Sequence, residues 1–318
     1  MGELRAETDY FHLYEMAAGI FAAVAKPGTG AWSNAGVVDL GEELLVFDSF
    51  STPSAAQELR NQAEKLTGKK VKHLINSHYH GDHVFGNQVF EDAAIISTSL
   101  TRQLFEEQNV LKEIAVEQAE MAHYLLSLEH QIKAAENPVI RASLINQSEE
   151  MARVKEELPH MKMVLPTVAF EDSRIFQGSK RTVELHCLGG AHTPSDSFLY
   201  LPEEKILFAG DIVTEALHLP IYDPDGFLKT LEALKTFEID AVLPGHGAIH
   251  SVKIIEAMHD YLLLLSDSAK QAHDEKVALE EYVAEFLLPE AYAKWRGTNG
   301  IQRNLKTVYN FYEAKEKE

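Results

Sequence analysis

The first hundred residues of the chain alternate short apolar runs with turn residues. The runs have the length and the β-branched or aliphatic content typical of strands: 20–25, 36–40, 43–48, 71–75 and 93–97. Gly41 and Glu42 separate two of them and favour a hairpin. A helix is predicted over 55–66, because Pro53 precedes it and Gly68 follows it. The pattern therefore predicts a fold that contains both strands and helices.

A different pattern occupies 100–158, where glycine is absent and Pro138 is the only proline. Apolar residues recur there at three- and four-residue steps: Leu104, Leu111, Ile114, Met121, Leu125, Leu128 and Ile132, then Ile140, Leu144, Met151, Val154 and Leu158. This is the spacing of a coiled-coil seam, and it predicts a helical hairpin with a turn near 137–138. Such a seam indicates packing. The hairpin is expected to be a lid or a homodimer contact.

Strand-like runs return over 164–213, followed by a predicted helix over 225–236 and a strand over 241–243. The remaining residues are mainly helical, with apolar residues at three- and four-residue spacing in 252–272 and 277–288. No repeat or flexible linker interrupts the chain. We therefore expect one domain over 1–318, with a hairpin insertion at 100–158 and a C-terminal helical extension at 251–318.

Composition narrows the choice of partners. A formal net charge of −20 argues against binding to nucleic-acid phosphates. The longest apolar stretch, 16–25, is too short to cross a bilayer, and acidic residues occupy the place where a signal peptide needs basic ones. The single cysteine, Cys187, excludes an intrachain disulfide and is expected in the core. A cytoplasmic protein with a small-molecule substrate and no membrane partner is expected.

A cluster of metal-binding side chains follows the predicted strand 71–75. The window 78–83, HYHGDH, contains His78, His80, Asp82 and His83. Gly81 allows a turn, so these residues are expected on a loop at the carboxyl end of a strand, a usual place for chemistry in α/β proteins. Imidazoles and carboxylates are typical zinc ligands, and the window therefore predicts a metal site.

Three later segments repeat this arrangement. Each ends a predicted strand with a histidine or an aspartate next to glycine: His192 in GGAHT, Asp211 in FAGD and His246 in PGHG. Any one of them alone is better explained by a turn or a cap. Four strand ends that all carry His or Asp are difficult to obtain by chance.

Together these segments resemble the five motifs of the metallo-β-lactamase superfamily. Asp48 in LLVFDS matches the first motif, the window 78–83 the second, and His192, Asp211 and His246 the last three, in order along the chain. The resemblance implies an α+β fold, an αββα sandwich of two mixed sheets with helices outside. The strand and helix pattern fits that layering.

The resemblance also implies two adjacent metal ions, expected to be zinc, with iron or manganese as substitutes. It assigns His78, His80 and His192 to the first ion, Asp82, His83 and His246 to the second, Asp211 as a bridge, and Asp48 as an orienting residue behind them. Asp82 and Asp211 are the expected catalytic residues. A water shared by two cations loses a proton easily, and the bridging hydroxide then attacks a carbonyl. The expected function is a hydrolase for a thioester, ester or lactone.

Other branches of the superfamily fit less well. True β-lactamases are secreted and lack the bridging aspartate, whereas glyoxalase II and lactonase relatives have it. Lys294, Arg296, Arg303 and Lys306 suit the glutathione site of a glyoxalase II or plain solvation equally. An iron-dependent persulfide dioxygenase is the alternative function. The net charge opposes a ribonuclease Z, and no flavodoxin-like segment supports a flavodiiron protein. A binding module without activity is disfavoured because every ligand position is filled.

The substrate-binding residues are unknown at this stage. Trp32, Tyr79, Tyr222 and His218 are candidates, because they stand beside the metal-bearing or equivalent loops. A core or surface role explains each of them at least as well.

Overall fold

The computed structural model describes residues 2–316, and within them the strands form two mixed β-sheets. The first sheet follows the sequence order: β1 (Glu3–Glu7), β2 (Phe11–Ala17), β3 (Ile20–Ala25), β4 (Ala35–Asp39), β5 (Leu44–Phe47), β6 (Val71–Ile75), β7 (Ala94–Thr98) and β8 (Val168–Phe170). The second has the spatial order β13 (Ala241–Pro244), β12 (Ile206–Gly210), β11 (Ser197–Leu201), β10 (Thr182–Cys187) and β9 (Ser173–Gln177). β5 to β8 run parallel, as do β12 and β13, and the other pairs are antiparallel.

Helices connect and cover these sheets. They are α1 (Pro53–Thr67), α2 (Gly81–Val84), α3 (Ser99–Gln108), α4 (Ile114–Ala134), α5 (Pro138–Glu157), α6 (Pro224–Leu234), α7 (Lys253–Asp274), α8 (Leu279–Glu285) and α9 (Gln302–Glu316). Local contacts explain where α1 begins and ends. The Thr52 side chain accepts a hydrogen bond from the Ala55 amide at the start, and Gly68 ends the helix at φ 71°.

Three apolar cores separate four layers. The inner core lies between the sheets, where Gly36 packs so closely against Phe208 that an added Cβ would lie 2.2 Å from the ring. A second core joins the first sheet to α1 through residues such as Leu59. A third joins the second sheet to α6, α7 and α9. These layers confirm the predicted αββα sandwich of class α+β.

The insertion differs from the predicted uninterrupted arms. α3 is a separate helix and 109–113 are not helical, so the hairpin itself consists of α4 and α5, joined at 135–137. Asn109 explains the break, because its side-chain amide donates to the Tyr79 carbonyl at 2.7 Å and ties the end of α3 to the 78–83 loop. Leu111, a predicted seam residue, lies in this connection.

The outer face of the hairpin exposes Val116, Leu126 and Ile145, which are 40, 56 and 40% accessible. A homodimer contact through the hairpin therefore stays a prediction. Among residues 2–316, no helix is both long and apolar enough to cross a bilayer.

Candidate metal centre

Five chain segments bring the predicted ligands and the orienting residue Asp48 to one edge of the two sheets. Asp48 follows β5, the 78–83 window follows β6, and Asp211 follows β12. His192 lies in the loop after β10, and His246 lies in the loop after β13. The carboxyl ends of these strands thus converge, which is why residues distant in sequence share one site.

The seven residues expected to bind metal form two groups. His78, His80, His192 and Asp211 form the first, and Asp82, His83 and His246 form the second; within each group the candidate ligand atoms lie within 4.8 Å of one another. Asp211 faces both. Its Oδ2 lies 3.5 Å from His192 Nε2, and its Oδ1 lies 3.3 Å from His83 Nε2 and 3.4 Å from His246 Nε2. The carboxylate therefore faces both groups, and its role as a bridge stays a prediction.

The unpaired atoms of the site fit a metal cation. His78 Nε2, His83 Nε2 and Asp211 Oδ1 are buried, and none of them has a hydrogen-bond partner among the described residues. Burying such atoms without a partner is costly. Imidazole nitrogens and carboxylate oxygens at this spacing suit a divalent ion such as zinc. These residues could therefore hold two ions.

Asp48 and Ser77 support the histidines of the 78–83 window from behind. The Asp48 carboxylate accepts hydrogen bonds from the Ser77 amide at 2.7 Å and from the Ser77 hydroxyl at 2.8 Å, and it lies 2.8 Å from His83 Nδ1. The Ser77 hydroxyl lies 2.9 Å from His78 Nδ1. Asp48 has φ 63°, a conformation that aspartate tolerates better than most residues. These contacts orient the Nε2 atoms of both rings toward the site.

Backbone carbonyls hold two further histidines. His192 Nδ1 lies 2.6 Å from the Pro220 oxygen, and His246 Nδ1 lies 3.1 Å from the Trp32 oxygen. Asp196 is buried and fixes the loop that carries His192, because its carboxylate accepts hydrogen bonds from the amides of Ala191 and Thr193. The sequence offered no signal for the carbonyl contacts, since any residue type has a carbonyl. Ser77 was detectable only as a neighbour of the 78–83 window.

The histidine pKa values shift in opposite directions in the two groups. Burial lowers the pKa of His78 well below its usual value and lowers the pKa of His192 to about 3. Burial also opposes a charge on His246, but Asp211 and Asp82 outweigh it and raise the His246 pKa to about 9. Burial opposes ionisation of Asp82 and of Asp211, yet His83 and His246 lower the pKa of Asp82 to about 2 and the pKa of Asp211 well below its usual value. The two carboxylates are thus ionised at neutral pH, where they attract a cation.

A family model describes this arrangement. The model of the metallo-beta-lactamase superfamily matches residues 29–246, more than half of the chain. The chain belongs to the metallo-beta-lactamase superfamily. Membership confirms the resemblance seen in the five motifs. The family and the His/Asp cluster together indicate a hydrolytic enzyme that uses a divalent metal.

Within this superfamily, the chain is similar to alkylsulfatases. The linear primary-alkylsulfatase of Pseudomonas sp. (strain ATCC 19151) is 22% identical over 257 residues, which are 76% of this chain and 46% of that protein. Two solved structures share the fold and cover 94% of this chain and 50% of theirs. A double mutant of the sec-alkyl sulfatase PisA1 has TM-score 0.69 at 17% identity, and the stereoselective inverting sec-alkylsulfatase Pisa1 from Pseudomonas sp. has 0.68 at 16%. The chain spans about half the length of these relatives.

The residues proposed from sequence as substrate contacts have different surroundings. Tyr79 packs edge-on against His80, with ring centroids 4.8 Å apart, and Tyr222 is 57% exposed beside the loop of His192. Trp32 contributes the carbonyl that holds His246. His218 is 2% exposed, its Nδ1 lies 2.8 Å from the Tyr261 hydroxyl, and its ring packs against Trp295 in the C-terminal core. A substrate contact through His218 stays a prediction.

The remaining candidates have structural surroundings of their own. Arg296 and Arg303 donate to the carbonyls of Glu215 and His218. Cys187 is half-buried, lies at the margin of the inner core instead of deep within it, and has a thiol pKa raised by burial.

Proposed function

We propose that this protein hydrolyses the sulfate ester of an alkyl alcohol, using two divalent metal ions of which zinc is the expected one. The carrying observation is the extent of the likeness to alkylsulfatases. The superfamily model ends at residue 246, whereas the alkylsulfatase structures match 94% of the chain and so extend into the C-terminal helices. Together with the 22% identity over 257 residues to a linear primary-alkylsulfatase, this extent supports the proposal of an alkylsulfatase activity.

The proposed reaction consumes water and releases the alcohol and hydrogen sulfate. Divalent ions bound here would lower the pKa of a coordinated water and offset negative charge on the ester. Asp211 would hold both ions in register, since its two oxygens face different ligand groups. Asp82 is 18% exposed and His78 is fully buried, so the site opens on the side of Asp82. An ester would approach from that side.

The charge of the site supports an anionic substrate. The chain has a formal net charge of −20, which repels anions at long range. Among the seven proposed ligands, only Asp82 and Asp211 are carboxylates, so two divalent ions would leave the cluster with net positive charge. The bound ions would then attract a sulfate group locally, although the protein as a whole is acidic.

An apolar wall beside the metal loop supports an alkyl group as the other half of the substrate. Phe85 packs against Gly81, where an added Cβ would lie 2.4 Å from its ring. Around it lie half-buried apolar side chains on a buried base of Val154, Leu158 and Met161: Leu111, Met121, Met151 and Met163. Flexible thioethers adapt readily to chains of different length. We call these eight residues, with Phe85 included, the methionine-rich wall.

Met151→Asn is expected to lower kcat/KM for dodecyl sulfate about tenfold and to leave short-chain sulfates nearly unchanged. Each buried methylene stabilises binding by about 0.8 kcal/mol, so only chains that reach the wall lose contact. Steady-state kinetics across a chain-length series measures this. Leu126→Asn is the matched control, because Leu126 is 56% exposed on the outer face of α4. An equal loss at every chain length would contradict a role for the wall.

The proposed function is tested with purified protein and a substrate panel. Elemental analysis is expected to find about two zinc ions per chain, because seven ligands exceed the four of one tetrahedral ion. Turnover is expected with primary or secondary alkyl sulfates. The panel also includes the thioesters, esters and lactones predicted from sequence, together with β-lactams. Activity confined to a carbonyl substrate would contradict hydrolysis of a sulfate ester. It would still agree with a hydrolase.

A further inference from the structure

A carboxylate of the helical insertion is buried against the loop that leads into the metal centre. Glu150 on α5 is 0% exposed. Its Oε1 accepts a hydrogen bond from the Gly28 amide at 2.7 Å, and its Oε2 accepts one from the Gly30 amide at 2.7 Å. Gly28 and Gly30 have φ 74° and 94°, a conformation that favours glycine and turns both amides toward one point. The loop thus forms a small anion-binding nest around this carboxylate.

The same loop supports the second ligand group directly. The Trp32 carbonyl lies 3.1 Å from His246 Nδ1, and the Ser33 hydroxyl donates to the Asp82 carbonyl at 2.5 Å. Asn34 donates from its side chain to the carbonyls of Pro244 and Gly247, on either side of the His246 segment. The path from Glu150 to the ligands is therefore short: hydrogen bonds join Glu150 to Gly28 and Gly30, a few residues of backbone lead on to Trp32 and Ser33, and hydrogen bonds join these to the ligand segments.

The first ligand group has different supports. His192 is held by the Pro220 carbonyl, and His78 by the Ser77 hydroxyl. Neither contact involves 28–34. Loosening this loop would consequently disturb Asp82 and His246 and spare the ligands that belong to the first group alone.

We propose that Glu150 is a positioning residue for the second metal ion, acting through the loop 28–34 on His246 and Asp82. The inference rests on the proposed ligand set and is independent of the substrate. It gives the helical insertion a part in the metal centre, whereas the seam pattern alone indicated packing.

Packing alone is a poor explanation of this carboxylate. Burying an ionised group is costly, and here burial and the nearby charge of Asp82 both raise the Glu150 pKa, against the backbone amides of residues 28–30, which lower it. An apolar side chain would fill the same space without that cost. The specific contribution of a carboxylate is to fix two backbone amides in one geometry, as hydrogen-bonded supports behind a metal site do.

The test is a zinc titration of metal-free protein carrying Glu150→Gln. The amide side chain keeps the shape but presents a donor to one of the two loop amides. We expect one of the two zinc equivalents to bind 10–100-fold more weakly, with the other unchanged, as for other residues behind metal ligands. The visible spectrum of the cobalt-substituted variant should change in the same selective way. Glu129→Gln is the matched control, since Glu129 lies on α4 of the same insertion, its side chain is 54% exposed, and it pairs with Lys133.

Two results would overturn the inference. One is a variant that binds both equivalents like the unaltered protein. The other is an equal loss of both equivalents in step with a lower melting temperature, which would make Glu150 a residue of the fold only. If Glu150→Gln does not fold, Glu150→Asp carries the same test, because it keeps the charge and shortens the reach. Unaltered protein that binds fewer than two ions would instead contradict the ligand set itself.

Discussion

Asp211→Ala is expected to lose most bound metal and to reduce hydrolysis by about three orders of magnitude. The physical reason is the double role of this carboxylate, whose Oδ1 faces His83 and His246 while its Oδ2 faces His78 and His192. A rate lower by about three orders of magnitude corresponds to about 4 kcal/mol, which agrees with the several kcal/mol that a metal ion contributes to catalysis. Elemental analysis and steady-state kinetics measure the two effects.

Asp240→Ala is the control for this variant, because Asp240 is an exposed aspartate that directly precedes β13. It should keep both metals and full activity. Retention of both metals and full turnover by Asp211→Ala would remove Asp211 from the site. Loss of a single metal would show that Asp211 serves one ligand group and does not bridge.

Gly245→Ala is expected to weaken zinc binding by about 100-fold, although it replaces none of the proposed ligands. An added Cβ would lie 2.0 Å from Asp211 Oδ1 and 2.8 Å from the Gly210 carbonyl, so the carboxylate has to move. Gly245 itself lies outside the left-handed region, and the effect is therefore steric. Mutation of a residue that supports a metal ligand typically lowers metal affinity by about 10–100-fold. Displacement of a ligand itself is expected to lower the affinity by the upper value of this range. Competition titration with a zinc chelator measures the affinity.

Gly68→Ala separates this effect from a general cost of replacing glycine. Gly68 ends α1 at φ 71° with nothing within 4 Å of an added Cβ. Its replacement should lower the free energy of unfolding by about 1 kcal/mol and leave zinc affinity unchanged. If Gly245→Ala binds zinc as the unaltered protein does, the close packing of this loop on Asp211 is not needed for the site.

Local patterns located most elements of the sandwich. The buried strands β3, β5 and β6 are short apolar runs bounded by turn residues, and the predicted bounds differ by few residues. β1 and β2 were not located, because β1 is mostly exposed and lacks an apolar run. α9 was not delimited either, since its apolar residues alternate with many charges.

The hairpin shows where periodicity alone is insufficient. Seam spacing continued through Leu111, but the side chain of Asn109 bonds to the Tyr79 carbonyl and the helix ends. That bond joins segments thirty residues apart, and no local pattern contains it. Tertiary contacts override helical periodicity at such points.

Local motifs in the sequence predict the kinds of ligand and the strand ends that carry them. His78, Asp211 and His246 stand in short motifs whose chemistry is local, so their types and neighbours suffice to predict a metal site. Which oxygen of Asp211 faces which group, and the contact of Glu150 with the loop at 28–30, follow from the packed fold and from no local pattern. Those contacts depend on backbone carbonyls, backbone amides and distances across the sandwich. Every residue has such backbone groups, and only the packed fold selects among them.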